Sequence, residues 1–381
     1  MYVKTLRLEH FRCYEQLSLE LGPGLHIMVG PNASGKTTVL EAIGVLALTK
    51  SHRCSQDREL VRFKAEWTRA AAEFGRADGR GIGLRVTVRE SVRADSGSSR
   101  KTFEVNGVPR RRVTEVVGQV PVVMFGPEDL GLVKGPPSGR RRFLNEAISQ
   151  VRPGYLADLM RYRRGLRQRN ECLKRVRKEG SCRELVDAWD GALVESGAAV
   201  AGAREEFVRA MAPHSDRAHH RLSNGRERLV IAYKGDLAGM ADMAIRRDRL
   251  RELLRSGIER DIALGRTAMG PHRDELDILV AERSLRTYGS QGQQRTAALS
   301  LVLAQAAVMS QWRDEPPIIL LDDCLSELDA DRARAMLELS RNAEQMIVTT
   351  AAWEPVLDEF AVGARVYDVG DGTVVPRETD S

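Results

Sequence analysis

Eight consecutive residues, Gly30-Pro31-Asn32-Ala33-Ser34-Gly35-Lys36-Thr37, read G-x-x-x-x-G-K-T. They sit between an apolar run over 25–29 and a stretch in which Val39, Leu40, Ile43 and Leu46 recur at helical spacing. A strand that stops at a glycine lets successive backbone N–H groups turn inward around a phosphate, because residues with little or no side chain permit the close approach. A helix opening at Lys36 adds the partial positive charge of its N-terminus. Lys36 then reaches the outer phosphates, the Thr37 hydroxyl ligates a magnesium ion, and Thr38 stands beside them in the first helical turn. The setting predicts nucleotide binding rather than a chance glycine-rich turn.

A chain of 381 residues implies two or three domains, and 42% hydrophobic with 29% charged residues is globular composition. No apolar run approaches the roughly 18–20 residues of a membrane-spanning helix, and the N-terminus enters a strand pattern directly, so a cytoplasmic protein with no membrane partner is expected. The five cysteines (Cys13, Cys54, Cys172, Cys182, Cys324) are scattered and never spaced C-x-x-C, which points to neither a disulfide framework nor a zinc site. The formal charge of +6 is unevenly placed. Residues 134–178 hold 14 Lys or Arg against 3 Asp or Glu, a local +11, which leaves −5 for the remainder. Charge focused in this way suits a polyanion-binding face, where neutralised phosphates release counterions.

Residues 2–29 read as three strands, with Val3, Leu6 and Leu8, then Leu17, Leu19 and Leu21 alternating with polar residues before the buried run over 25–29. Between the first two, His10-Phe11-Arg12-Cys13-Tyr14 either brings Arg12 to the nucleotide or forms a polar turn with one buried ring. Alternation over 67–74, 82–88 and 102–105 predicts an antiparallel meander, broken by Asp78-Gly79-Arg80-Gly81 and Asp95-Ser96-Gly97-Ser98, with a loop tip over 96–101. A short strand over 120–125 follows. Helices are expected to dominate from 139 to about 259. There Phe143, Ile148, Leu156, Leu159, Leu166 and Leu173 form an apolar stripe, while Arg161, Arg163, Arg164, Arg167, Arg169, Lys174 and Arg175 occupy the other faces. Acids are too few for the usual i,i+4 pairs, so these seven are candidates for phosphate contact with DNA, without base reading. His214, His219 and His220 read as solvated helix positions, since no cysteine or carboxylate stands at ligand spacing.

Strand pattern returns at Gly270-Pro271-His272-Arg273-Asp274, over 276–280 and 284–288. Gly289-Ser290-Gln291-Gly292-Gln293 then opens a long apolar helix, either a plainly capped one or a second anion-receptive N-terminus. The apolar run over 318–321 ends in Asp322-Asp323, where open α/β sheets place ligand chemistry. Adjacent carboxylates repel unless a cation joins them, so Asp322 is assigned to magnesium and Asp323 to the attacking water. One more strand over 345–350 and a hairpin over 364–375 around Asp371-Gly372 complete the chain.

The phosphate loop and the carboxylate strand lie nearly 300 residues apart, so one nucleotide-binding lobe is divided by an insertion. We expect an α/β ABC-type P-loop ATPase head, with a mixed sheet and an antiparallel meander, split by a mainly helical insert. That insert has no sustained heptads for a long coiled coil. The expected divisions are 1–125, a basic insert over 126–265, and a return over 266–381.

These motifs resemble those of the SMC group of ABC-type ATPases and, more closely, the RecF family. The likeness covers nearly the whole chain: His10-Phe11-Arg12, the phosphate loop with Leu40-Glu41-Ala42-Ile43, Ser51-His52-Arg53, Phe125-Gly126-Pro127-Glu128-Asp129-Leu130, Gly139-Arg140-Arg141-Arg142-Phe143-Leu144, Gly270-Pro271-His272-Arg273-Asp274, Ser290-Gln291-Gly292-Gln293-Gln294-Arg295, and Leu320-Leu321-Asp322-Asp323 through Ser326-Glu327-Leu328-Asp329. The resemblance implies an ATP-dependent homodimer that holds double-stranded DNA near junctions with single strands. It also implies work with RecR and RecO, and indirect help in loading RecA. By position it implies that residues 30–38 and Arg12 hold ATP, that Lys36, Asp322 and Asp323 carry hydrolysis, and that Asp329 lies at the nucleotide. Ser290, Gln291, Gly292 and Gln293 would meet the γ-phosphate bound by the opposite copy.

The chain departs from the family's pattern in two respects. Asn32-Ala33-Ser34 replaces a more usual glutamine-bearing sequence at positions that act through backbone. Thr350 stands where transporter-type members place a histidine, and no glutamine follows 120–125, so slow hydrolysis is implied. An ATP-driven subunit of a transport system, and a DNA-binding dimer without turnover, are the alternatives.

Overall fold

Alternation at the start of the chain builds β1 (Tyr2–Phe11) and β2 (Tyr14–Glu20), paired antiparallel with Leu6 opposite Leu19 and Leu8 opposite Leu17. The structure, a computed structural model, describes residues 1–76, 78–90, 99–180, 183–338 and 342–377. Cys182, the Asp95-Ser96-Gly97-Ser98 break and residues 96–98 of the tip expected over 96–101 lie outside them, and residues 99–101 are strand rather than loop. The chain forms two compact units, Met1–Gly131 with Ala298–Ser381, and Leu132–Ala297.

In the first unit, β3 (Gly24–Val29) leads through the phosphate loop into α1 (Lys36–Leu48). β4 (Trp67–Gly75), β5 (Gly81–Glu90), β6 (Ser99–Val105) and β7 (Val108–Arg110) extend the antiparallel sheet in the order β2-β1-β4-β5-β6-β7. Ala70 faces Val86 and Val86 faces Phe103 across it, so one face is apolar. The short β8 (Val122–Phe125) belongs to a second sheet.

The second unit contains α2 (Pro137–Val151), α3 (Tyr155–Glu179), α4 (Arg183–Leu222), β9 (Leu229–Lys234), α5 (Met243–Ser256), α6 (Ile258–Leu264), β10 (Glu275–Val280), β11 (Arg283–Ser284) and α7 (Leu285–Tyr288). α8 (Gln291–Arg313) starts there and continues into the first unit. Leu159, Tyr162 and Leu173 of α3 are buried where it packs on α4. Two elements differ from the sequence reading. β9 is a strand inside the stretch expected to be helical, with Leu229, Ile231 and Tyr233 buried at period two. Residues 285–288 are a helical turn rather than strand, because Leu285 is buried and β11 ends after two paired residues. The second unit also runs past residue 266, since β10 pairs along its whole length with β9.

Back in the first unit come β12 (Ile318–Asp322), α9 (Ala330–Leu337), β13 (Gln345–Thr350), β14 (Arg365–Gly370) and β15 (Thr373–Pro376). The turn between the last two uses Asp371 and Gly372, both at positive φ, as a two-residue hairpin requires. The second sheet has the order β15-β14-β3-β13-β12-β8, parallel except for β15.

α1 is buried on nearly every side, and it packs against β4 and β5 of one sheet and β8, β12 and β13 of the other. Leu40, Ile43 and Leu46 are 0% exposed, each stabilising the core by roughly 1.5–3 kcal/mol. Register aligns Val29 with Thr350 and Thr349 with Asp322, so the carboxyl ends of β3, β13 and β12 lie along one edge. That edge is where a ligand of a parallel sheet belongs. Among the described residues no helix is long and apolar enough to cross a membrane.

Candidate functional site

The phosphate loop leaves β3 at Gly30, whose N–H donates to Thr350 O at 3.3 Å. A Cβ at Gly30 would lie 2.1 Å from Val369 O, and one at Gly35 would lie 2.5 Å from the Tyr14 hydroxyl, so neither position has room for a side chain. Gly35 (φ 111°) and Ala33 (φ 66°) take left-handed conformations that tighten the loop. Pro31, Asn32 and Ala33 are exposed at its rim. The Ser34 Oγ is buried with no protein partner, as suits an atom that a phosphate oxygen can satisfy. Lys36 is 4% exposed and its ammonium donates to Gly30 O at 2.7 Å and Pro31 O at 2.9 Å, inside the loop. Burial lowers its pKa, against the pull of Asp323 and Asp322. Thr38 is buried, its hydroxyl 3.9 Å from Cys13 Sγ.

At the adjoining strand ends, Thr37 Oγ1 and Thr349 Oγ1 both donate to Asp322 Oδ1 at 2.8 Å. Asp323 has φ 44°; its N–H donates to the Thr349 carbonyl and hydroxyl, and its carboxylate accepts from Ala351 N at 3.2 Å. A side chain held at an unfavourable backbone angle by several bonds is aimed rather than free. A hard cation would take the hydroxyl of Thr37 and the carboxylate of Asp322. Among the described residues no cluster of three or more His, Cys, Asp or Glu makes an all-protein cage, so its other ligands would be phosphate oxygens and water. The residues present therefore fit magnesium accompanied by a nucleotide.

Arg12 lies near this loop, and its guanidinium pairs with α1. It donates to both oxygens of the buried Glu41, at 3.1 and 2.7 Å, and Ser51 Oγ adds a third bond at 2.5 Å. Burial pushes Glu41 up, yet these hydrogen bonds outweigh it and hold the carboxyl below the usual range. Nε and Nη2 of Arg12 thus tie the turn between β1 and β2 to α1. Asp329 caps α9 by accepting from Arg332 N at 3.0 Å and pairs with the Arg332 guanidinium at 2.7 Å. Sequence reasoning missed Thr349, whose only trace was a polar residue near the end of an apolar strand, and Glu41, a lone acid in an apolar helix.

The Ser290 segment belongs to the second unit. Ser290 and Gln291 are exposed. Ser290 N donates to Gln293 Oε1 at 2.9 Å and Gln293 N donates to Ser290 Oγ at 3.2 Å, a reciprocal capping box. Gly289 is required here, since a Cβ would lie 2.6 Å from Leu285 O. Gln293 holds both ends of its amide within the protein, the second on Glu227 at 2.7 Å.

On α3, Arg163, Arg164, Arg167 and Arg175 are exposed; Arg161 and Lys174 are exposed too, with i,i+3 partners Asp158 and Glu171. Arg169 is not part of that face. It is 0% exposed, bonded to Asp190 and Asp261 at 2.7 Å each and to Thr267 at 2.9 Å, so it is an internal clamp rather than a DNA contact. His219 is also fully buried, against Glu227 at 3.2 Å, where a solvated histidine was expected.

The chain matches the model of the RecF/RecN/SMC N-terminal domain over residues 2–373. A DNA replication and repair protein RecF from Symbiobacterium thermophilum is 42% identical over 385 residues, with 98% of each chain covered. One from Halalkalibacterium halodurans is 37% identical over 376 residues, covering 98% of this chain and 99% of the relative. Structures of the recombination mediator protein RecF in the RecFOR pathway, with ATPrS and with ATP, superpose at TM-scores of 0.89 and 0.88. Each is 30% identical and covers 99% of this chain and 98% of the other. An Smc head domain from Pyrococcus furiosus, 16% identical with a TM-score of 0.56 and coverage of 100% and 96%, shares the fold alone. The split α/β architecture is therefore that of an ABC-type ATPase head, and the chain belongs to the RecF family.

Proposed function

We propose that this protein is an ATP-dependent DNA-binding ATPase of replication and recombinational repair. Two copies associate through ATP on double-stranded DNA near single-strand gaps, and slow hydrolysis releases them. The observation that carries the reading is the Thr37–Asp322 hydrogen bond, which joins the phosphate loop to the carboxylate strand across 285 positions in a RecF-family chain.

The loop N–H groups and Lys36 hold the outer phosphates. Thr37 and Asp322 would hold a magnesium ion, which would neutralise charge on those phosphates. Asp323, fixed by Thr349 and Ala351, orients the attacking water. Ser290 and the start of α8 in the second copy face the γ-phosphate, favouring the triphosphate and losing contacts once it is cleaved. Slow turnover is supported by Thr350, whose hydroxyl donates to Ala352 O at 2.7 Å and supplies no base. The exposed arginines of α3 bind DNA phosphates. RecR and RecO join the DNA-bound dimer and assist RecA loading, a reading supported by the RecFOR pathway of the relatives.

Light scattering with ATP, magnesium and gapped duplex, alongside ATP turnover, tests the proposal. A rise to dimer mass and DNA-stimulated turnover that Asp323→Asn removes are expected. Unchanged mass refutes ATP-driven association, and turnover equal to that of Asp323→Asn refutes the catalytic assignment.

A further inference from the structure

We infer that Glu227 is a positioning residue for Ser290, holding its hydroxyl ready to donate to the phosphate bound by the opposite copy. The inference rests on the composite ATP site proposed above. Its basis is the direction of each hydrogen bond. An amide side chain has two ends, and the Gln293 amide would cap Ser290 N–H only when its oxygen faces that group. Glu227 Oε1 accepts from Gln293 Nε2 at 2.7 Å. An ionised carboxylate only accepts, so it excludes the flipped amide and forces Gln293 Oε1 onto Ser290 N. The other half of the box follows. Gln293 N–H occupies a lone pair of Ser290 Oγ, and the exposed serine keeps its own O–H for an outside acceptor.

Glu227 is itself fixed. Its second carboxylate oxygen meets Nε2 of the fully buried His219 on α4, and its N–H donates to Ser223 Oγ at 3.2 Å. Two residues later, Leu229 N donates to Asp216 Oδ1 at 3.1 Å. A rigid corner between α4 and β9 thus sets the start of α8. Nothing in the α8 sequence shows this, because the acceptor stands 66 positions away.

Mixing variants of the full-length protein tests the assignment. Glu227→Ala should bind ATP as tightly as wild type in the monomer, with a melting temperature close to wild type. Its ATP-driven association should be about tenfold weaker, the loss of one charge-assisted bond. Glu227→Gln, which can still accept, should stay within about threefold. Mixed with Lys36→Ala, Glu227→Ala should regain association, since one composite site then has an intact loop and an intact Ser290 segment. Mixed with Ser290→Arg it should not, because no intact site forms. If Glu227→Ala does not fold, Gln293→Ala opens the same clasp and takes its place in the mixtures. Wild-type association of the Glu227 variant, or equal results in the two mixtures, overturns the inference. Failure of the wild type itself to associate with ATP overturns the composite site, and this assignment falls with it.

Discussion

Thr37 Oγ1 donates to Asp322 Oδ1 at 2.8 Å, so the last residue of the phosphate loop and the last residue of β12 share a hydrogen bond. Parallel register delivers both to one sheet edge, through β13 between β3 and β12. Thr37→Val keeps the shape and removes the hydroxyl. We expect magnesium-dependent ATP turnover to fall 10–100-fold, while Thr37→Ser stays near wild type. Titrating magnesium against turnover separates the cases: equal curves for Val and wild type would remove Thr37 from the cation site.

Gly30 gives a steric prediction. A Cβ would stand 2.1 Å from the carbonyl of Val369 in β14, and backbone cannot retreat as a flexible side chain can. Gly30→Ala should therefore lower the melting temperature and weaken ATP binding together. Gly139→Ala is the control, since nothing lies within 4 Å of its Cβ. Equal melting of the two variants would mean that the loop is not packed on β14.

His26 gives a prediction in pH. It is 0% exposed on β3, with Nε2 to Gly22 O at 2.8 Å and Nδ1 to the Tyr367 hydroxyl at 3.2 Å. Burial lowers its pKa to about 4, the Gly22 bond opposing only in part. The folded value lies below the ordinary 6.5, so the unfolded chain takes up the proton first as pH falls. Its stabilisation is complete above about pH 6.5 and is lost on descending toward 4, by about 2 kcal/mol between pH 7 and 5. Urea unfolding at the two pH values should show a drop smaller by that amount in His26→Gln. An identical drop in the two proteins would assign the pH dependence to other groups.

What the sequence made legible was whatever is written in consecutive residues. The phosphate loop, the alternating strands of the meander and the carboxylates ending an apolar run all depend on local spacing, and each appears where expected. The misses depend on distant partners. Alternation in Leu229, Ile231 and Tyr233 was present, but surrounding helical periodicity masked it until β10 supplied a strand to pair with. The Gln293–Glu227 bond was not legible because its partners stand 66 positions apart. The Arg12–Glu41 pair was not legible, because Glu41, one acid among the apolar residues of α1, gave no sign of facing it. Charge was visible from the sequence, whereas its neutralisation required the fold.

Arg169 and its neighbours on α3 turn that difference into a measurement. Arg169 is enclosed between Asp190 and Asp261, and its removal leaves two carboxylates, one of them 2% exposed, without their cation. Arg169→Ala should cost about 3–5 kcal/mol of stability. The exposed trio Arg163, Arg164 and Arg167 has no such duty, so changing all three to Glu should leave stability within about 0.5 kcal/mol per site. The same triple change should weaken duplex binding and flatten its salt dependence, because fewer counterions are released. Chemical unfolding and duplex titration at two salt concentrations, run on both variants, decide the matter. Wild-type stability with weak DNA binding in Arg169→Ala would return that residue to the DNA face. Unchanged DNA affinity in the triple variant would move the face off α3.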